Sequence, residues 1–227
     1  MDKMREGRQR MGWTQMRAAK TLGVSQPYLS LLEKGARQPS PALARRCVEV
    51  YGLSATALPV SHQTSDPHGS ISQRVVAGLA ALGYPGFAHL KHGPAVTNPA
   101  SLLLSALDAE RLEARVAAAL PWVVRAYPDL DWDWLLREAK VRDLQNRLGF
   151  VVTLARTLAE KSADSATAAT LANVEERLEH SRLVREDVFG RADVTEAEKR
   201  WLRTHRPPEA HHWNVLSNLT VEQLHGG

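Results

Sequence analysis

Apolar residues recur at helical spacing along nearly the whole chain, and no strict alternation lasts long enough to define a strand. Near the N-terminus the pattern is broken into short pieces. Met1–Arg10 reads as a first helix, Thr14–Leu22 as a second and Ser25–Lys34 as a third, and a fourth starts at Ser40-Pro41-Ala42 and stops at Gly52. Ser40 is placed to cap that helix, and Pro41 sits in its first turn, where a missing N–H is harmless. Leu43, Cys47, Val48 and Val50 form its inward face, and Leu53, Leu58 and Val60 finish a small apolar set. Pro59 to Ser70 is then polar and rich in breakers. The chain therefore divides into residues 1–60, a linker over 61–70 and a larger domain over 71–227.

In the larger domain the elements lengthen. Ser70-Ile-Ser-Gln73 has the capping-box form and opens a helix through Leu82. Gly83 to Pro99 reads as irregular, with Tyr84, Phe87 and Leu90 turned inward. Asp108–Tyr127 places Leu112, Val116, Leu120, Val123 and Tyr127 on one face, with Pro121 expected to kink or divide it. Asp131 opens the longest helix, expected to run to about Lys161 on Trp134, Val141, Leu144, Leu148, Val151, Ala155 and Leu158. Alternate threes and fours from Val141 onward suit near-parallel helix packing, and over about two and a half heptads they fit a bundle core better than an extended coiled coil. Thr167–Val188 carries Leu171, Val174 and Leu178. Two more capping boxes, Thr195–Glu198 and Thr220–Gln223, start short terminal helices. The fold class is all-α, a small head followed by a helical-bundle body.

The segment from Met11 to Gly35 adds chemistry to this outline. Leu22-Gly23-Val24-Ser25 makes a tight turn, since glycine tolerates a left-handed backbone and Ser25 can cap the next helix. Thr14 can cap the helix before it, and Gly35 can close the one after. Ala19, Val24, Leu29 and Leu32 then fix the angle between the two helices. Gln26, Pro27, Tyr28, Ser30 and Leu31 are left facing outward. Two helices so joined form a helix-turn-helix, whose second helix enters the major groove, so double-stranded DNA is the expected partner.

Charge agrees with this. Residues 1–60 hold ten basic side chains against four acidic ones, a surplus of +6 in a chain whose total is +4, leaving the rest at −2. A basic head on a mildly acidic body suits phosphate contact, although a solvated basic face gives the same count. The single cysteine, Cys47, excludes an internal disulfide and a multi-cysteine zinc site, and reads as a core residue rather than a reactive thiol. No apolar run approaches about 18 residues and the N-terminus is charged, so a cytoplasmic protein without membrane contact is expected.

Arg8, Gly12-Trp13-Thr14-Gln15, Leu22-Gly23-Val24-Ser25, Leu32-Glu33-Lys34-Gly35 and Pro39-Ser40 together resemble the XRE, or phage-repressor-type, helix-turn-helix family. The resemblance covers about a quarter of the chain. It implies a five-helix phage-repressor-like domain that binds the major groove as a homodimer and represses, in a bacterial cytoplasm and on the nucleoid when bound. Carried over by position, Gln26, Pro27 and Leu31 are the base-facing residues, with Tyr28 beside them. Gln15, Lys34 and Arg37 match phosphate-contacting positions, and Arg17 is a further phosphate contact. Gln26 can pair bidentately with adenine, whereas Pro27 and Leu31 can touch only apolar groups such as thymine methyls. In the family, the residue at Arg8 pairs with that at Glu33, the alternative being a DNA contact. Gly7 and Ala18 stand where relatives carry larger apolar residues, which predicts a loosely packed head.

The body offers rival readings. The segments P-W-V-V-R-A-Y-P-D-L-D-W-D-W-L and A-K-V-R-D-L-Q-N-R-L-G-F look similar to helical bodies of XRE-type regulators, some encoded beside toxins. An antitoxin that regulates its own promoter and masks a toxin protein with its C-terminal domain is thus the alternative to a plain repressor. Trp122, Trp132, Trp134, Trp201 and Trp213 hint at a partner surface, with core packing expected for at least three. Arg206 and His211 have the arginine-x4-histidine spacing of HEPN ribonucleases, but Pro207 and Pro208 oppose the helix that such a pair needs, so a surface turn is expected there. His89-x-x-His92 and His211-His212 lack convergent cysteines or carboxylates, and H-E-x-x-H, glycine-rich phosphate loops and G-x-S-x-G are all absent. No cofactor, no metal and no catalytic residue is assigned.

Overall fold

The computed structural model describes residues 3–60, 71–90, 97–191 and 193–224. The described chain is all-α apart from one two-residue parallel strand pair. It divides into two compact units, a head of residues 1–61 with 93–98 and a body of residues 62–92 with 99–227. The expected linker over 61–70, including the Ser70 cap, lies outside the described residues.

The head contains α1 (Lys3–Arg10), α2 (Gln15–Leu22), α3 (Gln26–Glu33), α4 (Pro41–Tyr51) and a single 3-10 turn, Ala55–Ala57. The fifth helical segment is thus only one turn long. Thr14, Ser25 and Ser40 each accept a backbone N–H from the third residue beyond, the capping their sequence positions announced. Gly23 and Gly35 take positive φ, at 70° and 72°. Ala18, Ala19, Leu22, Leu29, Leu32, Leu43, Cys47 and Tyr51 form the core, with Trp13, Val24, Tyr28, Val50 and Leu53 packed against it. The expected looseness at Gly7 is not found. Tyr51, 2% exposed, fills that space with Leu53, and a Cβ on Gly7 would lie 2.8 Å from Leu53 Cδ2 and 3.0 Å from Tyr51 Cβ.

In the body, α5 (Ile71–Ala81) leads into a 3-10 turn at Pro85–Phe87, with Tyr84 and Phe87 buried as expected. Then come α6 (Pro99–Leu107), α7 (Ala114–Ala126), α8 (Trp132–Val141), α9 (Gln145–Lys161) and α10 (Ser165–Glu179). Strand β1 (Asp187–Val188), α11 (Glu196–His205), α12 (Pro208–His212), β2 (Val215–Leu216) and a 3-10 turn at Val221–Gln223 complete it. Both terminal capping boxes form. Helix α9 is the centre: every residue from Leu148 to Ala155 is buried, so its middle is covered on all sides, and it packs against α7, α8 and α10.

Four boundaries differ from the pattern reading. The helix expected from Asp108 begins only at Ala114, because Leu112 is held in a loop by its N–H to the Gly190 carbonyl (2.7 Å). The helix expected from Asp131 to Lys161 is two helices. Asp143 adopts φ 57° and the Leu144 N–H turns back to the Ala139 carbonyl (2.8 Å), so the chain re-enters as α9. Val141, counted as core, is therefore 75% exposed at the end of α8. The stretch expected helical to Val188 ends at Glu179 and finishes in β1, which pairs Asp187 with Val215 and Val188 with Leu216. Pro208 starts a short helix where a turn was expected, since proline suits a first turn.

Polar groups pin this body as firmly as apolar ones. Arg147 binds Asp187 through Nε (2.6 Å) and Nη2 (2.7 Å), and its Nη1 donates to the Leu107 carbonyl. Buried Asn146 exchanges two hydrogen bonds with the backbone of Leu183. The fully buried Trp213 ring lies against Gly149, and its Nε1 donates to Thr153 Oγ1 (2.7 Å). Trp132 and Trp134 are also buried, so three tryptophans serve the core as expected.

Candidate nucleic-acid interface

The head's basic surplus is not all available to a partner. Arg8 Nε and Nη2 reach Glu33 Oε1 and Oε2 at 2.6 and 3.0 Å, and Nη1 donates to the Trp13 carbonyl. The expected tie between α1 and α3 is thus present, and Arg8 is committed to structure. Arg10 Nη2 donates to the Tyr51 carbonyl (2.7 Å) and Arg46 Nη2 to the Thr21 carbonyl (3.0 Å), each satisfying a helix C-terminus. Among the residues expected at phosphates, Arg17, Lys34 and Arg37 are exposed and have no ion-pair partner among the described residues. Arg17 is not loose, because its guanidinium lies 4.9 Å from the centre of the Trp13 ring.

The expected base-facing residues divide. Gln26 and Pro27 are exposed at the start of α3, and Leu31 is 41% exposed one turn on. Tyr28 is only half-exposed, its ring lying partly on the head core. Gln15, expected at a phosphate, is half-buried and joined to other side chains. Its Nε2 donates to Glu33 Oε2 (2.9 Å), and its Oε1 accepts from Gln26 Nε2 (2.8 Å).

This chain of bonds fixes the direction of both amides. An ionised carboxylate only accepts, so Glu33 must receive the Gln15 NH2 group. The Gln15 oxygen then faces Gln26 and must receive its NH2 group. One N–H and the oxygen of Gln26 remain outward, and one N–H of Gln15 is spare. Glu33 is held ionised for this purpose. Burial pushes its carboxyl pKa up, but the hydrogen bonds from Arg8 and Gln15 and the charge of Arg8 bring it below the ordinary value. The sequence reading found Glu33 as the partner of Arg8 and missed its bond to Gln15, which depends on how α2 meets α3. It also missed Met16, 74% exposed beside Gln15, for which the only signal was its place opposite the Ala18-Ala19-Leu22 stripe.

Outside the head, Arg206 caps α11 with its side chain 10% exposed beside Glu186, while His211 belongs to α12 and is exposed. His212 Nε2 lies 2.8 Å from Glu179 Oε2, and His92 falls outside the described residues. Among the described residues no group of three or more histidine, cysteine or carboxylate side chains converges, and no helix is long and apolar enough to cross a membrane.

A family model described as a helix-turn-helix domain matches residues 2–59, the head just described. No curated protein matches the chain, and no solved structure does. The head is a DNA-binding helix-turn-helix domain, with α2 and α3 as its two helices.

Proposed function

We propose that this protein is a sequence-specific regulator of transcription that binds double-stranded DNA as a homodimer and represses, with α3 in the major groove. It acts in a bacterial cytoplasm, bound to the nucleoid, and no catalytic activity is part of this reading. The supporting observation is the polarity of Gln26. Adenine presents a donor (N6) and an acceptor (N7) to the major groove, and the outward oxygen and N–H of Gln26 complement that pair. The apolar edges of Pro27, Leu31 and Met16 suit thymine methyls, and Arg17, Lys34 and Arg37 suit the flanking phosphates. Two copies would address half-sites about 34 Å apart.

The test is a binding titration over systematically substituted duplexes at two salt concentrations. Gln26→Ala is expected to remove preference at one base position, worth about 1–3 kcal/mol, and Arg37→Ala to weaken all duplexes alike and flatten the salt slope by about one. If both substitutions leave binding unchanged, α3 is not the reading helix.

A groove of about 620 Å³ between α8 and α10 favours a second reading, the antitoxin. Arg137 and Lys140 rim it without ion-pair partners among the described residues, above Leu136 and the exposed Val141. Such a groove suits an acidic segment of a toxin. Co-purification of a neighbour-encoded protein in fixed ratio, abolished by Lys140→Glu, is the result this reading requires.

A further inference from the structure

Among the described residues of the head, Glu33 is the only buried carboxylate. Its side chain is 3% exposed and that of its partner Arg8 is 11% exposed, so neither is presented to a ligand. Glu33 nevertheless lies only two hydrogen bonds from the exposed amide of Gln26, by way of Gln15. Its Oε1 accepts from Arg8 Nε, and its Oε2 accepts from Arg8 Nη2 and Gln15 Nε2. Turning the Gln15 amide over would set its oxygen against a carboxylate oxygen 2.9 Å away. Turning Gln26 alone would set its oxygen against that of Gln15, 2.8 Å away. Either turn replaces a hydrogen bond by two facing acceptors. The charge of Glu33 is thus relayed outward as a fixed polarity, each amide handing its opposite end to the next.

We propose that Glu33 determines specificity without meeting DNA: through Gln15 it selects which end of the Gln26 amide enters the groove, and so adenine over guanine. The proposal rests on the reading of α3 given above and names the residue that directs it. The two purines share the N7 acceptor and differ beside it, where adenine carries the N6 donor and guanine the O6 acceptor. With one N–H held by Gln15, Gln26 offers its other N–H and its oxygen, which match N7 and N6. At guanine the same oxygen would face O6, acceptor against acceptor. To read guanine the amide must turn and offer both N–H groups. That turn requires Gln15 to donate to Gln26, and Glu33 has already drawn the Gln15 donor group to itself. Gln15 is therefore a positioning residue. Its effect differs from that of a phosphate contact, which adds affinity to every sequence alike.

Competition binding of the full chain tests this, with duplexes that differ only at the position where Gln26→Ala erases preference. The readout is the ratio of affinities for adenine and guanine, because a partly unfolded head weakens both duplexes alike and cancels from the ratio. Wild type is expected to favour adenine by about tenfold or more. Arg8→Met with Glu33→Leu removes the carboxylate and strands no charge. Gln15 is then free to turn, and the ratio is expected to fall toward parity. Gln15→Lys keeps a donor to Glu33 but can only donate, so the Gln26 amide must turn and guanine is favoured. The added charge strengthens both duplexes alike. An unchanged ratio in the paired variant overturns the proposal, since something other than Glu33 then orients Gln15. A lysine variant that still favours adenine, or a wild type that favours guanine, overturns it too. Failure of the DNA reading looks different. If Gln26→Ala alters preference at no position, α3 is not the reading helix and the proposal falls with it. If Gln26→Ala erases one preference while the ratio holds in both other variants, α3 reads DNA and Glu33 does not direct it.

Discussion

Replacing Arg8 by alanine strands the Glu33 carboxylate, whose side chain is 3% exposed. Two hydrogen bonds, at 2.6 and 3.0 Å, disappear, and only the neutral amide of Gln15 is left facing the charge. Removing one member of a buried pair costs about 3–5 kcal/mol. A unit of some sixty residues has only about 3–9 kcal/mol of stability in hand. Arg8→Ala should therefore bring the head to the edge of unfolding at neutral pH. Replacing both partners by apolar residues, Arg8→Met with Glu33→Leu, leaves no stranded charge. It should cost only about 1–2 kcal/mol, part of it the bond from Arg8 to the Trp13 carbonyl. The pH dependence separates the two mechanisms. In the intact head the folded Glu33 pKa lies below its unfolded value, so the pair's contribution is full above about pH 4.3 and drains away as pH falls through the lowered value. In Arg8→Ala burial is opposed only by the Gln15 hydrogen bond and the charge of Arg5, and the folded pKa rises. That variant should gain stability as pH falls from neutral towards about 4.3, the opposite slope. Native-state hydrogen exchange of the α2 and α3 amides across pH and urea measures this. Equal costs for the single and paired substitutions, or a single variant that worsens in mild acid, would refute the buried-charge argument.

Three further outcomes are expected. Tyr51→Phe should stabilise the head by about 1–2 kcal/mol in urea melts, because the buried Tyr51 hydroxyl has no hydrogen-bond partner among the described residues; a loss of stability would reveal one. Gly149→Ala should lower the melting temperature of the body, at about 1–3 kcal/mol. Its new Cβ would fall 2.4–2.5 Å from Trp213 ring atoms that the bond to Thr153 keeps in place. Burial pushes the Cys47 thiol up to about 11, so at pH 8 a thiol reagent should label it only as fast as the head opens, with a rate that climbs with urea. Immediate labelling of the folded chain would contradict that placement.

Local rules were legible in the sequence, and relations between elements were not. Thr14, Ser25, Ser40, Gly23 and Gly35 act through bonds or dihedrals within a few residues, so their positions alone announced the turn and the caps of the head. The tie between Arg8 and Glu33 was legible only through the family resemblance. The break at Asp143 gave no warning, since apolar spacing continues across it and no glycine or proline marks it. Asp143 can visit the left-handed region, but nothing in its neighbours says that it must. Tyr51 was overlooked because its partner in space is Gly7, and an absent side chain gives no periodic signal. The same holds at the interface. The outward residues of α3 followed from the helical wheel, whereas the link from Glu33 through Gln15 to Gln26 needed the crossing of α2 and α3.

Tyr51 and Leu53 already occupy the room that a side chain at residue 7 would need. In any exchange of segments with another regulator, a splice falling between residues 7 and 53 would join a donor's bulkier first helix to this chain's tyrosine and wedge the two apart. A splice on either side of that interval inherits a fitted pair. For domain shuffling, residues 7 to 53 therefore travel as one indivisible cassette, and new DNA preferences are better grafted by changing side chains on α3 than by swapping the helix's scaffold.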